Sequence, residues 1–258
     1  MNGAEKFRNQ LFKTGAIGIF SKTSDPAFIE IMGYAGADFV IIDLEHGPNS
    51  VQTAQNLVRA AELAGAAPII RVKEGNESII GEALDIGAAG IQVPQIETAE
   101  QAENVIKRMK FAPEGERGVC RFVRAAQYSA TNRFEYFKHA NEAVAILQIE
   151  GVSGIQNLNE ILRVPGIDVL FIGPYDLSQS LGITGQIDHP LVEEKIREIT
   201  KMCMQKGIAT GIFVDSLENA LKWKTSGVRY ISYSVDTGIF YEAVKNMIHT
   251  LSQTESDN

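Results

Sequence analysis

Cysteine is scarce in this chain of 258 residues, which contains only Cys120 and Cys203. Two cysteines cannot form the disulfide framework of a small secreted domain or the clustered ligands of a structural zinc site. The segment KMCMQKG around Cys203 has the pattern of an amphipathic helix, which favours a core or boundary position for that thiol. No histidine near Cys120 in sequence marks it as a nucleophile.

Positive charge is also in deficit, because 24 Lys and Arg stand against 32 Asp and Glu for a net charge of −8. Nucleic acids and anionic membranes both require a basic surface, so neither is an expected partner. No apolar run approaches the ~18–20 residues of a membrane span. The N-terminus MNGAEKFRNQLFK is polar where a signal peptide has its apolar region. The sequence therefore predicts a cytoplasmic protein.

Eight short runs with strand character alternate with helical segments along the chain. Most of them are almost continuously apolar, as strands covered on both faces are. The runs are AIGIFS, DFVIIDLEH, APIIRV, GIQVPQI, AILQIE, VLFIGPYD, GIATGIFVDS and YISYSVD. Eight β-α units predict a single α/β domain, a (β/α)8 TIM barrel over residues 1–251, with a flexible C-terminal tail over residues 252–258. A doubly wound open sheet is the alternative, disfavoured because GxGxxG and GxxxxGK[ST] are both missing.

One long segment, residues 110–141, interrupts this alternation. It is too long for a simple connection within a β-α unit, and it mixes arginine, glycine and aromatic residues. The composition predicts an ordered excursion over the mouth of the barrel.

Two neighbouring runs each deliver a carboxylate just past their apolar part. Glu150 follows AILQI, and Asp176 follows VLFI within the segment GPYD. The intervening GIQNLNEIL has helical periodicity, so the two strands are expected to be parallel and to end on the same rim. Two hard oxygen ligands on a rim suit Mg²⁺ or Mn²⁺, which keep bound waters and take further ligands from a substrate.

Other strand ends carry polar residues. Asp43 and His46 stand three positions apart, and a carboxylate beside a histidine fixes its tautomer and raises its basicity, as a general base requires. Glu45 can share that role or, by strand alternation, face away from His46. Arg71 ends an apolar strand, where a buried arginine needs an anion. That anion is a substrate oxygen, a carboxylate of Asp43 or Glu45, or both.

Further candidates come with structural alternatives. Gln148 lies two positions before Glu150 and on the same strand face, so it can orient substrate or be a satisfied core amide. Gly173 and Pro174 form a tight turn whose backbone N–H groups can meet a substrate carboxylate. Asp85, at a helix end before a strand, is structural if taken alone.

In order along nearly the whole chain, the blocks IIDLEHGPN, IIRV, GAAGIQVPQIETAEQAE, ERGV, QIEGVSGIQNLNEIL and VPGIDVLFIGPYDLSQSLG resemble the HpcH/HpaI aldolase family. The resemblance implies a barrel of the phosphoenolpyruvate/pyruvate type and a class II aldolase that reversibly cleaves a 4-hydroxy-2-oxo acid to pyruvate and an aldehyde. It also implies a homohexamer, a dimer of trimers, with the last helix exchanged between subunits.

The same resemblance implies a role for each matching residue. Glu150 and Asp176 match the two ligands of Mg²⁺, Mn²⁺ or Co²⁺. Arg71 matches the arginine that binds the C2 oxygen of pyruvate and stabilises its enolate. His46 matches the catalytic histidine, with Asp43 as its partner. The two further matches are Gln148, a glutamine near metal and substrate, and Asp85, an acid that reaches the site from a neighbouring subunit.

The chain departs from the family pattern after ERGV, where Cys120 and then RFVRAAQYS replace a small residue. Arg121 and Arg124 there are either solvated or in contact with substrate. In the second case they indicate an aldehyde with a carboxylate or several hydroxyls. No lysine is expected at a rim position comparable to that of Arg71, which argues against a Schiff-base mechanism.

Two other functions remain open. A carbon–carbon lyase for acyl-CoA thioesters, like citryl- or malyl-CoA lyases, would use the same two carboxylates but needs a basic groove for CoA. A non-catalytic barrel that only binds a ligand is disfavoured by the joint presence of Asp43, His46, Arg71, Glu150 and Asp176.

Overall fold

The computed structural model describes residues 3–73, 75 and 77–253. Within these ranges, eight parallel strands close into a barrel in which each strand pairs with the next and β8 pairs with β1. The strands are β1 (Ala16–Ser21), β2 (Phe39–Asp43), β3 (Ala67–Arg71), β4 (Gly90–Val93), β5 (Val144–Ile149), β6 (Val169–Ile172), β7 (Ala209–Val214) and β8 (Tyr230–Val235). The predicted (β/α)8 barrel is confirmed, and closure of the sheet excludes the open doubly wound alternative.

Helices cover the outside of this barrel. In chain order they are α1 (Gly3–Thr14), α2 (Pro26–Tyr34), α3 (Val51–Leu63), α4 (Glu77–Asp85), α5 (Ala99–Met109), α6 (Arg133–Ala140), α7 (Val152–Gln156), α8 (Leu158–Ile161), α9 (Pro174–Ser180), α10 (Pro190–Lys206), α11 (Leu217–Thr225) and α12 (Asp236–Gln253). Thr98 and Gln101 form a reciprocal capping box that starts α5, satisfying backbone N–H groups left free at a helix start. Among the described helices, none has the length and apolar character needed to cross a membrane.

Aromatic side chains fill the barrel interior. Phe39 and Tyr230 stack with their ring centroids 4.0 Å apart, and Phe171 meets Tyr230 edge to face at 5.9 Å. At the end of the barrel where the strands begin, α1 inserts Phe7, whose ring centroid lies 5.7 Å from that of Phe39. The end of the barrel where the strands begin is therefore closed by α1, and the interior opens at the end where the strands finish.

The long segment, residues 110–141, lies at the opposite end of the barrel from the one predicted. It connects α5 to β5, and a connection from a helix to the next strand lies where the strands begin. The predicted position over the mouth is therefore wrong for the chain's own barrel. The segment is ordered: Lys110 Nζ donates to the carbonyls of Asn141 and Ala143, and Asn141 Oδ1 accepts from Phe111 N–H at 2.7 Å.

The last helix, α12, leaves the barrel after its first turn. Asp236 is buried, but every residue from Ile239 to Gln253 is exposed. The exposed side chains include Phe240, Tyr241 and Met247, so an apolar helix of 18 residues has almost no packing within its own chain. The helix extends two residues past the predicted domain end at 251, and residues 254–258 of the predicted tail lie outside the described residues.

Candidate active site

A cavity of about 220 Å³ opens at the carboxyl ends of the strands. Strand ends converge there because all eight strands run in the same direction, which is why barrel enzymes place their sites at this face. The predicted residues that line it are His46, Arg71, Gln148, Gly173, Pro174 and Asp176. These residues come from the ends of four different strands, β2, β3, β5 and β6, and meet at one place.

Arg71 lies between two carboxylates at the end of β3. Its Nε and Nη2 donate to the two oxygens of Asp43 at 2.9 and 2.7 Å, and its Nη1 lies 3.1 Å from Glu45 Oε2. Burial of Asp43 works to raise its pKa, but the hydrogen bonds and charge of Arg71 outweigh it, so the pKa of Asp43 is lowered. The structure is compatible with both predicted roles of Arg71, the ion pair and the contact with substrate, because the side chain is ion-paired and also borders the cavity.

Glu45 faces the site rather than away from it. Strand alternation does not apply at this position, because β2 ends at Asp43 and the chain turns there. Glu45 Oε2 lies 3.9 Å from Nε2 of His46, and burial raises the pKa of Glu45. The imidazole is largely exposed, with 65% of its side-chain surface accessible.

The structure does not show the expected contact between the carboxylate of Asp43 and the imidazole of His46. Asp43 Oδ1 accepts hydrogen bonds from the backbone N–H groups of Glu45 at 3.0 Å and His46 at 3.2 Å. Because Arg71 takes both of its oxygens, Asp43 fixes the backbone of this turn, and the carboxylate beside the imidazole is that of Glu45.

Glu150 and Asp176 form an acidic pair on the adjacent ends of β5 and β6. The pKa of Glu150 is raised to about 7, with burial as the largest cause. The N–H of Gln95, 3.0 Å from Glu150 Oε1, works to lower this pKa, and the like charges of Asp176 and Glu45 work with burial to raise it. Gly173 makes room for this pair, because a Cβ at that position would lie 2.9 Å from Asp176 Oδ2.

The acidic pair fits a divalent cation with hard oxygen ligands. Glu150 is half-buried and Asp176 is exposed, but the two neighbouring carboxylates repel each other, and a divalent ion that both of them bind would remove that repulsion. Among the described residues, no group of three or more His, Cys, Asp or Glu side chains is arranged to hold a metal. The protein thus offers two ligands and leaves further positions to water and substrate, as Mg²⁺ prefers.

Gln148 lies below the acidic pair on β5 and is almost fully buried. Its Oε1 accepts a hydrogen bond of 2.7 Å from Gln92 Nε2, which fixes the amide and directs its own N–H₂ group away from Gln92. The amide oxygen of Gln148 therefore has a hydrogen-bond partner in the core, and the residue also borders the cavity. Both predicted roles, a core amide and a residue that orients substrate, are compatible with this position.

Asp85, Arg121 and Arg124 do not line the cavity of their own chain. Asp85 pairs with Arg117 at 2.6 Å, Arg121 Nη2 donates to Ser129 O at 2.9 Å, and Arg124 pairs with Glu62. They belong to α4 and to the segment 110–141, which lie where the strands begin. A contact of these residues with substrate requires the cavity of another subunit.

Two features of the rim escaped sequence reasoning. Lys22, directly after β1, lines the same cavity as Arg71, so the expectation that no lysine stands at a comparable rim position is wrong. Tyr175, between Pro174 and Asp176, donates a 2.5 Å hydrogen bond to Asp215, which follows β7. Lys22 and Tyr175 could have been found by the same pattern that identified Arg71, a polar residue that follows or ends an apolar strand.

In this closed parallel barrel, a buried ion-paired arginine, a histidine and Asp176 of the acidic pair line one cavity. This arrangement defines a barrel enzyme whose chemistry takes place at the carboxyl ends of the strands. A model of the HpcH/HpaI aldolase/citrate lyase family matches residues 16–243. The chain belongs to this family and is a carbon–carbon lyase.

Known proteins resemble the chain over almost its whole length. The 5-keto-4-deoxy-D-glucarate aldolase of Escherichia coli O6:H1 is 33% identical over 238 residues, 92% of each chain. An HpcH/HpaI aldolase/citrate lyase family protein from Burkholderia cenocepacia superposes with a TM-score of 0.91 at 30% identity, covering 96% of this chain and 99% of that one. The citrate synthase SbnG gives a TM-score of 0.87 at 31% identity, covering 97% and 98%.

Proposed function

We propose that this protein is a divalent-metal-dependent class II aldolase that reversibly cleaves a 4-hydroxy-2-oxo acid to pyruvate and an aldehyde. The observation that carries the proposal is that Asp176 and the buried Arg71 line one cavity, with Glu150 next to Asp176 as the second member of the acidic pair. The similarity to aldolases that act on 5-keto-4-deoxy-D-glucarate, itself a 2-oxo acid, supports the same reaction class.

The residues that would hold the metal are Glu150 and Asp176. When bound, Mg²⁺, Mn²⁺ or Co²⁺ supplies Lewis-acid polarisation of the 2-oxo group. Gln148 lies beside the pair and presents its amide N–H₂ to the substrate, and the turn at Gly173 and Pro174 borders the carboxylate end of the 2-oxo acid.

Arg71 binds the C2 oxygen of the substrate. Charge develops on this oxygen when the C3–C4 bond breaks, and a fixed guanidinium aimed at it stabilises the transition state more than the ground state. Its ion pairs with Asp43 and Glu45 hold the guanidinium in place before substrate arrives. Because the group is already ordered and desolvated, little reorganisation accompanies the reaction.

His46 takes the proton from the C4 hydroxyl as the aldehyde leaves. Glu45, 3.9 Å from Nε2, stabilises the imidazolium that forms when the ring accepts this proton. Its exposed position at the outer edge of the cavity suits contact with the half of the substrate that becomes the aldehyde.

The test is pyruvate release from a panel of 4-hydroxy-2-oxo acids, using EDTA-treated protein before and after addition of each metal. We expect activity to need the metal and to fall at least ~100-fold in Glu150→Gln. Glu194→Gln, an exposed carboxylate on α10, is the matched control and should keep full activity. Release that is unaffected by EDTA would contradict the metal requirement, and no release from any substrate would contradict the aldolase.

A second candidate is a lyase or synthase for acyl-CoA thioesters. The 31% sequence identity to a citrate synthase supports this second candidate. Acetyl-CoA would have to bind near a rim whose described charges include Glu45, Glu150 and Asp176. Turnover that requires a CoA thioester, with no release of pyruvate from hydroxy-oxo acids, would select this function instead.

We also infer that the active form is a homo-oligomer, a hexamer built as a dimer of trimers in which α12 packs on a neighbouring subunit. Exposed apolar side chains along α12 support this arrangement, because such a surface is rare on a monomer. Asp85, Arg121 and Arg124, which lie off their own cavity, would then reach substrate only in a neighbouring subunit.

A further inference from the structure

Lys22 has a fixed backbone and an adjustable side chain at the edge of the cavity. The buried carboxylate of Asp236 accepts hydrogen bonds from the N–H groups of Lys22 at 3.1 Å and Thr23 at 3.2 Å, and from Ser21 Oγ at 2.7 Å. Three successive residues are thus bound to one carboxylate. The lysine stem beyond Cα remains flexible, as that of an ammonium side chain normally is.

The ammonium group of Lys22 has no partner among the residues that the structure describes. Among the described residues, none forms a hydrogen bond or ion pair with its Nζ, whereas Arg71, another cation at the cavity, pairs with both Asp43 and Glu45. Lys22 is half-buried, so its ammonium is partly removed from bulk water. A partly desolvated, unpaired cation that borders a cavity is available to an anionic ligand.

The topology places this charge on the opposite side of the barrel from the strand that Glu150 follows. In a closed ring of eight strands, β1 lies across the barrel from β5, so Lys22 lies across the cavity from Gln148, which precedes Glu150 on β5. The other residues that line the cavity on the Lys22 side include the apolar Phe213 and Val235. If the 2-oxo acid end binds at Glu150, Asp176 and Arg71, the other end of the substrate extends towards Lys22.

We propose that Lys22 determines substrate specificity by binding a carboxylate at the aldehyde end of the substrate. The inference rests on the proposed function and names the residue that would bind the far end of a substrate with a carboxylate at each end. Within the chain's own cavity, Lys22 thus takes the role predicted for Arg121 and Arg124, which lie off that cavity. A neutral aldehyde lacks the group that Lys22 would meet.

The experiment compares acidic with neutral aldehydes in condensation with pyruvate. Glyoxylate and succinic semialdehyde are the acidic acceptors, and glycolaldehyde and propionaldehyde the neutral ones. In Lys22→Met, we expect the ratio of kcat/KM for acidic over neutral acceptors to fall about tenfold or more, mainly through a higher KM for the acidic aldehydes. Lys22→Arg, which keeps the charge, should retain most of the ratio. Lys224→Met, which removes an exposed charge on α11, should leave it unchanged.

A second measurement separates the two proposals. Exchange of the methyl protons of pyruvate with deuterated solvent needs the metal and Arg71 but no aldehyde. A wild-type protein that neither exchanges nor condenses would overturn the proposed function, and the role of Lys22 with it. With an active wild type, an unchanged ratio in Lys22→Met would overturn the role of Lys22 alone.

Two other results would also overturn it. Loss of exchange in Lys22→Met would place the residue at the pyruvate end. Inactivation by borohydride in the presence of pyruvate, abolished in Lys22→Arg, would identify Lys22 as a Schiff-base nucleophile.

Discussion

Arg71 and Asp43 form a two-pronged ion pair in which Nε and Nη2 donate to separate carboxylate oxygens at 2.9 and 2.7 Å. The register of the sheet creates this pair, because Asp43 and Arg71 are direct neighbours across β2 and β3. The geometry requires a planar guanidinium, which lysine cannot reproduce.

We therefore expect Arg71→Lys to lower kcat/KM for cleavage by at least ~100-fold, because a single ammonium cannot hold Asp43 and Glu45 and also meet a developing oxyanion. Steady-state pyruvate release checks this. Arg59→Lys, on the exposed face of α3, is the control and should stay within about twofold of wild type. Equal activity of Arg71→Lys and wild type would show that the oxyanion is stabilised elsewhere.

Asp43→Asn should destabilise the fold. Asp43 is fully buried, and removing its charge leaves the guanidinium of Arg71 with one remaining anionic partner, Glu45. Breaking a buried ion pair costs about 3–5 kcal/mol in free energy of unfolding. Urea denaturation measures this, with the exposed Asp188→Asn expected to change stability by less than about 1 kcal/mol. A loss no larger than that of the control would mean that the pair is dispensable.

The acidic pair should make the stability of the metal-free protein depend on pH. The pKa of Glu150 is raised from an ordinary value of 4.5 to about 7, so between these values the folded protein binds more protons than the unfolded chain. The contribution of Glu150 to the free energy of unfolding therefore falls as pH rises from about 4.5 to about 7, and is level above that.

Urea midpoints in EDTA, measured across this pH range, should show this fall in wild type and a smaller one in Glu150→Gln. Mg²⁺ competes with the proton at Glu150, so added Mg²⁺ should stabilise the protein more on the alkaline side of this range than on the acidic side. Identical pH profiles for wild type and Glu150→Gln would refute the raised pKa.

Tyr175 should remain protonated far into the alkaline range. Its hydrogen bond to Asp215 is the largest cause that raises its pKa, to about 12. Ultraviolet difference titration of wild type against Tyr175→Phe should isolate the titration of this phenol at high pH. Asp215→Asn should move the pKa of Tyr175 back towards 10, because a neutral amide does not repel the phenolate. A phenol that titrates at the same pH in Asp215→Asn would rule out the carboxylate as the cause.

The apolar face of α12 should control assembly. Met247→Glu and Ile248→Glu place charges on a helix whose residues from Ile239 onward are exposed in the single chain, so neither change should disturb the barrel itself. We expect light scattering to report a smaller oligomer for the double variant than for wild type, with the circular dichroism of a folded barrel retained. An unchanged molar mass would show that α12 is not the assembling element.

The strands could be predicted from sequence because burial on both faces leaves long apolar runs. The run AIGIFS coincides with β1 from Ala16 to Ser21, and the convergence of Arg71 and Asp176 follows from strand direction alone. The capping box of Thr98 and Gln101 can also be predicted from sequence, because its two hydrogen bonds lie within four residues.

Other features depend on contacts that only the closed barrel creates. Phe7 and Leu11 belong to a polar-looking segment, and they are buried only because α1 meets the closed end of the barrel. The orientation of Glu45 depends on where β2 ends, and the availability of Lys22 depends on which charges are paired elsewhere. The position of residues 110–141 could have been derived, since it follows from their order between a helix and a strand.

The closed floor of the barrel has a kinetic consequence. Because Phe39, Phe171 and Tyr230 fill the interior below the cavity, reactants and products share one route through the rim. If pyruvate binds at the acidic pair and the aldehyde is held nearer the edge by His46 and Lys22, the aldehyde must arrive second and depart first. Product-inhibition kinetics should then show an ordered mechanism, with pyruvate competing directly against the hydroxy-oxo acid for free enzyme and the aldehyde acting as a noncompetitive inhibitor.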